Sequence, residues 1–165
     1  LVESMKDQAK LDAAFTTAGF TAEQAGEAYT GFYAILGEED RSVEAVNHLA
    51  KLCSTEEELA QWTNIAAGVW ATFGDSLPIE GLTEAANETA KTGTITGQLA
   101  DALNWAGVNE EAFQSALDGC SSEQERAALI TDTLNGLYQE AAENYKTLNG
   151  DVMEAQRAQA LLTDA

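Results

Sequence analysis

Apolar residues recur along this chain at steps of three and four, the spacing that sets them on one face of an α-helix. The first such segment, about 3–18, carries Leu11, Ala14, Phe15 and Ala18, and Gly19 supplies the left-handed position that closes a helix. Thr21 caps a second helix with Ala25, Ala28, Tyr29, Phe32 and Leu36, ended by Gly37, so the two form a helical hairpin. Glu38-Glu39-Asp40 and Ser42 open a third, with Val43, Val46, Leu49 and Cys53 on one side. Ser54 or Thr55 caps the fourth, each followed three residues on by a glutamate, Glu57 or Glu58, in the capping-box pattern. Its seam of Leu59, Trp62, Ala66, Val69 and Phe73, widened by Ile65 and Trp70, needs a partner surface before Gly74 ends it.

Pro78 stands where the first turn of a fifth helix needs no backbone donor, and Leu82, Ala85, Ala86 and Thr89 follow on one face up to Gly93. The stretch from Thr92 to Gly97 has the only β-branched density and reads as an extended connector. Leu99, Ala102, Leu103 and Ala106 make a short sixth helix ended by Gly107; Asn109 caps a seventh with Ala112, Phe113 and Leu117, stopped by Gly119. Ser121 and Ser122 cap the longest, about 123–148, whose seam is expected to run Ala127, Ile130, Leu134, Leu137, Ala141, Tyr145 and Leu148. Gly136 weakens it by ~1 kcal/mol against alanine. A last helix begins at Asp151 and continues through Met153, Ala160 and Leu161. The expected fold is therefore all-α, an irregular bundle of about eight or nine helices. Residues 1–91 and 98–165 are expected either as two helical lobes joined at 92–97 or as one single domain, the second part running into a longer helix. Ala18-Gly19-Phe20-Thr21-Ala22-Glu23 and Ala106-Gly107-Val108-Asn109-Glu110-Glu111 share one order, small residue, glycine, apolar residue, cap, then glutamate: the same turn used twice, either as a duplicated helical hairpin or as the common pairing of a glycine stop with a following cap.

Eight Lys and Arg against 28 Asp and Glu give a formal charge of −20, which opposes a phosphate backbone over the whole surface, so no specific nucleic-acid binding is expected. The acids are interspersed with apolar positions in runs no longer than Glu38-Glu39-Asp40 and Glu56-Glu57-Glu58, the pattern of solvated helix faces and not of a disordered tail. No apolar run approaches the ~20 residues of a membrane span, and no membrane contact is expected from this segment. The start Leu1-Val2-Glu3 is neither an initiator methionine nor a signal sequence, and Ala158 to Ala165 still read as helix, so a segment of a longer chain is expected.

Catalytic, cofactor-binding and metal-binding residues are all expected to be absent. His48 is the one histidine, with no nucleophile fixed nearby, and reads as a partly exposed helix residue. Cys53 and Cys120 lie far apart without CxxC spacing; both read as buried or half-buried helix residues, and with one histidine they cannot supply a zinc site's usual ligands. Calcium-loop and phosphate-loop spacings are missing. Paired carboxylates are plentiful on helices, so only a pair in a pocket with a raised pKa would count. Glu3-Ser4 matches a pair found in lytic transglycosylases, but none of that family's other motifs follows.

The run from Trp62 to Leu82, WTNIAAGVWATFGDSLPIEGL, closely resembles a stretch in the tail tape measure proteins of long-tailed bacteriophages and prophages. Glu84 to Lys91 (EAANETAK), Leu99 to Val108 (LADALNWAGV) and Leu134 to Tyr138 (LNGLY) follow in the same order as in that family, and the resemblance spans about Gln8 to Ala165. It implies a virion component made in the bacterial host cytoplasm and housed in the tail lumen. Such chains are long and largely helical, set tail length during assembly, and leave as DNA is ejected. The implied partners are other tail proteins, copies of the chain itself, or an assembly chaperone, with DNA passing nearby. Peptidoglycan-cleaving modules occur in some members, but their motifs match no position here. A second reading is a binding module of the same virion protein, whose acidic faces and Trp62, Trp70 and Trp105 hold a basic tail or chaperone partner. The tryptophans themselves lie on apolar seams and are expected in the core. Frequent glycine stops and short helices distinguish this stretch from an extended coiled coil.

Overall fold

The computed structural model describes the backbone of residues 2–164 and the side chains of residues 7–162. Among these residues the chain is all-α. Its nine α-helices are α1 (Val2–Ala18), α2 (Ala22–Leu36), α3 (Glu39–Leu52), α4 (Glu56–Phe73), α5 (Ile79–Thr92), α6 (Gln98–Asn104), α7 (Glu110–Asp118), α8 (Glu123–Leu148) and α9 (Gly150–Asp164). A single 3-10 turn, Gly74–Ser76, follows α4.

Short polar side chains start α2, α4, α7 and α8 by satisfying backbone N–H groups that have no partner in the first turn. Thr21 Oγ1 accepts from the Gln24 N–H at 3.1 Å while Gln24 Oε1 accepts from the Thr21 N–H at 2.8 Å, a complete capping box. Of the two residues that could cap α4, Thr55 does so: its hydroxyl accepts from the Glu58 N–H, and the Glu58 carboxylate reaches back to the Ser54 N–H. Asn109 caps α7 and Ser122 caps α8, where Glu125 returns to the Ser121 N–H. Pro78 lies one position earlier than expected, as the residue before the first turn of α5, and still supplies no unsatisfied donor.

The repeated turn is the same in three dimensions. Gly19 and Gly107 adopt φ of +98° and +85°, and the following N–H groups of Phe20 and Val108 bond back to the carbonyls of Phe15 and Leu103 at 2.8 and 2.9 Å. This six-residue closure needs a left-handed residue, which is the position glycine fills without steric cost.

The most extensive packing joins α4 to α8. Trp62, Ile65, Ala66 and Val69 of α4 are fully buried, as are Ile130, Thr131 and Leu134 of α8. The helices meet closely because Gly68 has no side chain: a Cβ there would stand 2.3 Å from the Tyr138 carbonyl oxygen. The α8 seam departs from the expected one beyond Leu134. Tyr138 and Ala142 are buried, Leu137 and Tyr145 only flank the core, and Leu148 is 81% exposed. The stripe follows Tyr138 because its backbone rests on Gly68 and its hydroxyl donates to the Ala102 carbonyl at 2.6 Å.

Around this pair, α3 packs on α5, and α9 returns to lie on α2. One hydrophobic core runs from Leu11 to Ala160, and the segments 1–91 and 98–165 pack on each other through α4–α8, α5–α8 and α2–α9. The 93–97 connector is held by α7: Gln114 donates to the Gly93 carbonyl at 2.7 Å and accepts from the Ile95 N–H at 3.0 Å.

Candidate functional site

The three tryptophans fare differently. Trp62 is fully buried, and its indole N–H donates to the Thr131 hydroxyl at 2.9 Å, so a polar atom in the core is satisfied by a polar atom from the facing helix. Trp70 is half-buried beneath the Arg41 guanidinium, 5.6 Å from its ring centre. Trp105 departs from the core expectation. It follows the last turn of α6, is 52% exposed, and packs against Phe73 at 5.2 Å between ring centres, the rings tilted by 56°.

Arg41, on α3, is the hub of the charged contacts. Its Nε lies 2.6 Å from Glu80 Oε2 and its Nη1 3.1 Å from Asp75 Oδ1, which ties α3 to the start of α5 and to the turn before it. The Glu80 hydrogen bond holds the guanidinium pKa above its ordinary value against the opposing effect of burial. Arg126 of α8 plays a comparable part at the other end of α5, donating to the Ala90 carbonyl at 2.6 Å and the Lys91 carbonyl at 3.3 Å. Arg41 and Arg126 are thus each occupied in joining helices.

The thiols stand just past helix ends and not within helices as expected. Cys53 is buried at the end of α3, and Cys120 is half-buried after α7. Burial pushes the Cys53 thiol far above its ordinary range, so it remains protonated and a poor nucleophile at neutral pH. Cys53 lies along a groove of about 680 Å³ floored by Ala13, Ala14 and Ala18, with Lys51 and Lys91 beside it. Glu3 and Ser4 fall outside the residues whose side chains are described.

His48 is half-buried on α3, as expected, but the packing of α5 on α3 gives it neighbours that its local sequence does not show. Ligand-capable atoms of Glu44, His48 and Glu84 lie within 4.8 Å of one another. Burial lowers the imidazole pKa, and Glu84 and Glu44 oppose that lowering in this order. The Glu44–His48 spacing of one helical turn is legible in the sequence; Glu84 arrives only through the α3–α5 contact.

At the C-terminal end of the chain, Leu148, Val152, Leu161 and Leu162 are 81%, 50%, 57% and 71% exposed. The buried stripe of α9 is Ala160 with Met153 packed beside it, and Gln156 abuts Gly37, so Leu161 turns outward. Among the described residues no helix is long and apolar enough to cross a membrane. No protein-family model matches the chain, and neither the curated proteins nor the solved structures yield a match.

Proposed function

We propose that this chain is a structural segment of a phage or prophage tail tape measure protein, acting in tail assembly and the setting of tail length from within the tail lumen. The observation that supports this reading is the ordered resemblance from about Gln8 to Ala165, led by the run from Trp62 to Leu82. The helical build is of the kind such chains have. A formal charge of −20 suits a wall past which DNA must move without being held. In this role the chain works by packing and contact, and no catalytic step is assigned to it. Its short capped helices around one core would make it a folded body within the ruler, distinct from any extended portion. The test is an in-frame deletion of this segment from the parent gene, with tails measured by electron microscopy. Shortened tails or failed assembly are expected; normal tails of unchanged length would refute the proposal.

The second reading, a binding module for a basic tail protein or assembly chaperone, is favoured by the exposed apolar side chains Leu148, Val152, Leu161 and Leu162 on an acidic chain. Apolar anchors rimmed by charge are the ordinary make-up of a protein contact surface. Replacing Leu161 and Leu162 by glutamine should reduce recovery of tail proteins on the tagged parent from infected cells. Undiminished recovery would remove this reading.

A further inference from the structure

We propose that Glu44, His48 and Glu84 bind one divalent transition-metal ion of the zinc type, which would clamp α3 to α5. This goes beyond the tape measure reading and does not depend on it. Glu44 and His48 are one turn apart on the same face of α3, and α5 sets Glu84 opposite them. One ligand-capable atom from each of the three lies within 4.8 Å of the other two. Neither carboxylate belongs to a salt bridge among the described residues.

The second observation is independent of the carboxylates. His48 Nε2 is closed off from solvent and has no hydrogen-bond partner. A buried imidazole nitrogen left without a partner is costly, and an ion bound through Nε2 would give it one. The donor set then selects the ion. One imidazole nitrogen with two carboxylate oxygens suits zinc and its neighbours in the transition series, whereas calcium and magnesium prefer all-oxygen shells. Water would complete the coordination, since Glu44 and Glu84 are on the exposed side of the helices. The surroundings favour a cation as well: Glu88 of α5 adds its negative charge in the same sense as Glu44 and Glu84, Lys51 opposes them, and the whole chain is strongly acidic.

His48 is the chain's single histidine, so one pair of imidazole nitrogen resonances reports on the site without assignment. Zinc chloride titrated into the intact chain should shift those resonances to saturation at one ion per chain, with a matching single-site calorimetric isotherm. Glu84→Gln should raise the zinc concentration needed by roughly tenfold or more, and His48→Gln should abolish the isotherm. Glu140→Gln, an exposed carboxylate on α8, should leave it unchanged. Both glutamate variants alter exposed side chains, and circular dichroism would verify that their helices are intact. Ring resonances that fail to saturate, or equal isotherms for Glu84→Gln and Glu140→Gln, would show diffuse attraction to an acidic surface and overturn the proposal.

Discussion

The α4–α8 contact and the α9 end of the molecule are built from the same alphabet of alanine, leucine, glycine and polar residues, yet the two differ in what their apolar positions meet. Along α4 and α8, Leu59, Trp62, Ile65 and Val69 on one side and Ile130 and Leu134 on the other are closed off from water, and the indole of Trp62 and the hydroxyl of Tyr138 each find a partner inside. Among the described residues of α9 only a narrow stripe around Ala160 is buried, while Leu161 and Leu162 beside it face outward. The glycines tell the same story. Gly68 lets two backbones meet, whereas Gly136, on the same long helix as Tyr138, has nothing within 4 Å of where its Cβ would be. Interior glycine is therefore a packing device at one site and a weakness at the other, and only the neighbouring helix decides which.

That contrast can be broken most severely at Leu134, which is fully buried. Leu134→Ala should cost about 2–5 kcal/mol in denaturant unfolding, through lost burial and the cavity left behind. Gly68→Ala should cost about 1–3 kcal/mol, because the added methyl meets backbone that cannot turn aside. Gly136→Ala should do the reverse and stabilise by about 0.5–1 kcal/mol, since an exposed helical site gains a better helix former at no steric cost. Leu161→Gln, at the outward face of α9, should change stability by less than about 0.5 kcal/mol. Equal effects at Gly68 and Gly136 would dissolve the distinction between the two glycines.

Tyr138 adds a pH signature to the same seam. Burial raises its phenol from the ordinary value near 10 to about 12, so the folded chain holds that proton more tightly than the unfolded one. Its contribution is complete below about pH 10 and is lost as pH rises toward about 12. Unfolding free energy measured across that window should fall less steeply in Tyr138→Phe than in the parent chain.

Much of this was legible beforehand where the cause is local. Caps at Thr21, Asn109 and Ser122 and the glycine turns at Gly19 and Gly107 depend on a few adjacent residues, and the sequence carries them whole. The burial of Trp62, Ile65 and Val69 followed from helical spacing. What spacing could not convey is the partner. Near Leu134, steps of three and four can continue to Leu137 or to Tyr138, and the choice turns on Gly68, some seventy residues away in sequence, admitting the backbone. By its apolar neighbours Trp105 reads as a core residue, but it follows the last turn of α6, where Phe73 is the aromatic ring against it among the described residues. The Glu44–His48–Glu84 group was hidden for the same reason: its third member lies on another helix.

The division between a closed seam and an open terminal helix is tested most directly by amide hydrogen exchange on the purified chain, resolved by residue. The central amides of α4 and α8 should exchange only through global unfolding, at the free energy given by denaturant, while those of α9 should open at a distinctly lower cost. Protection in α9 equal to that in α4 and α8 would contradict the account, because the outer helix would then belong to the same cooperative unit as the seam.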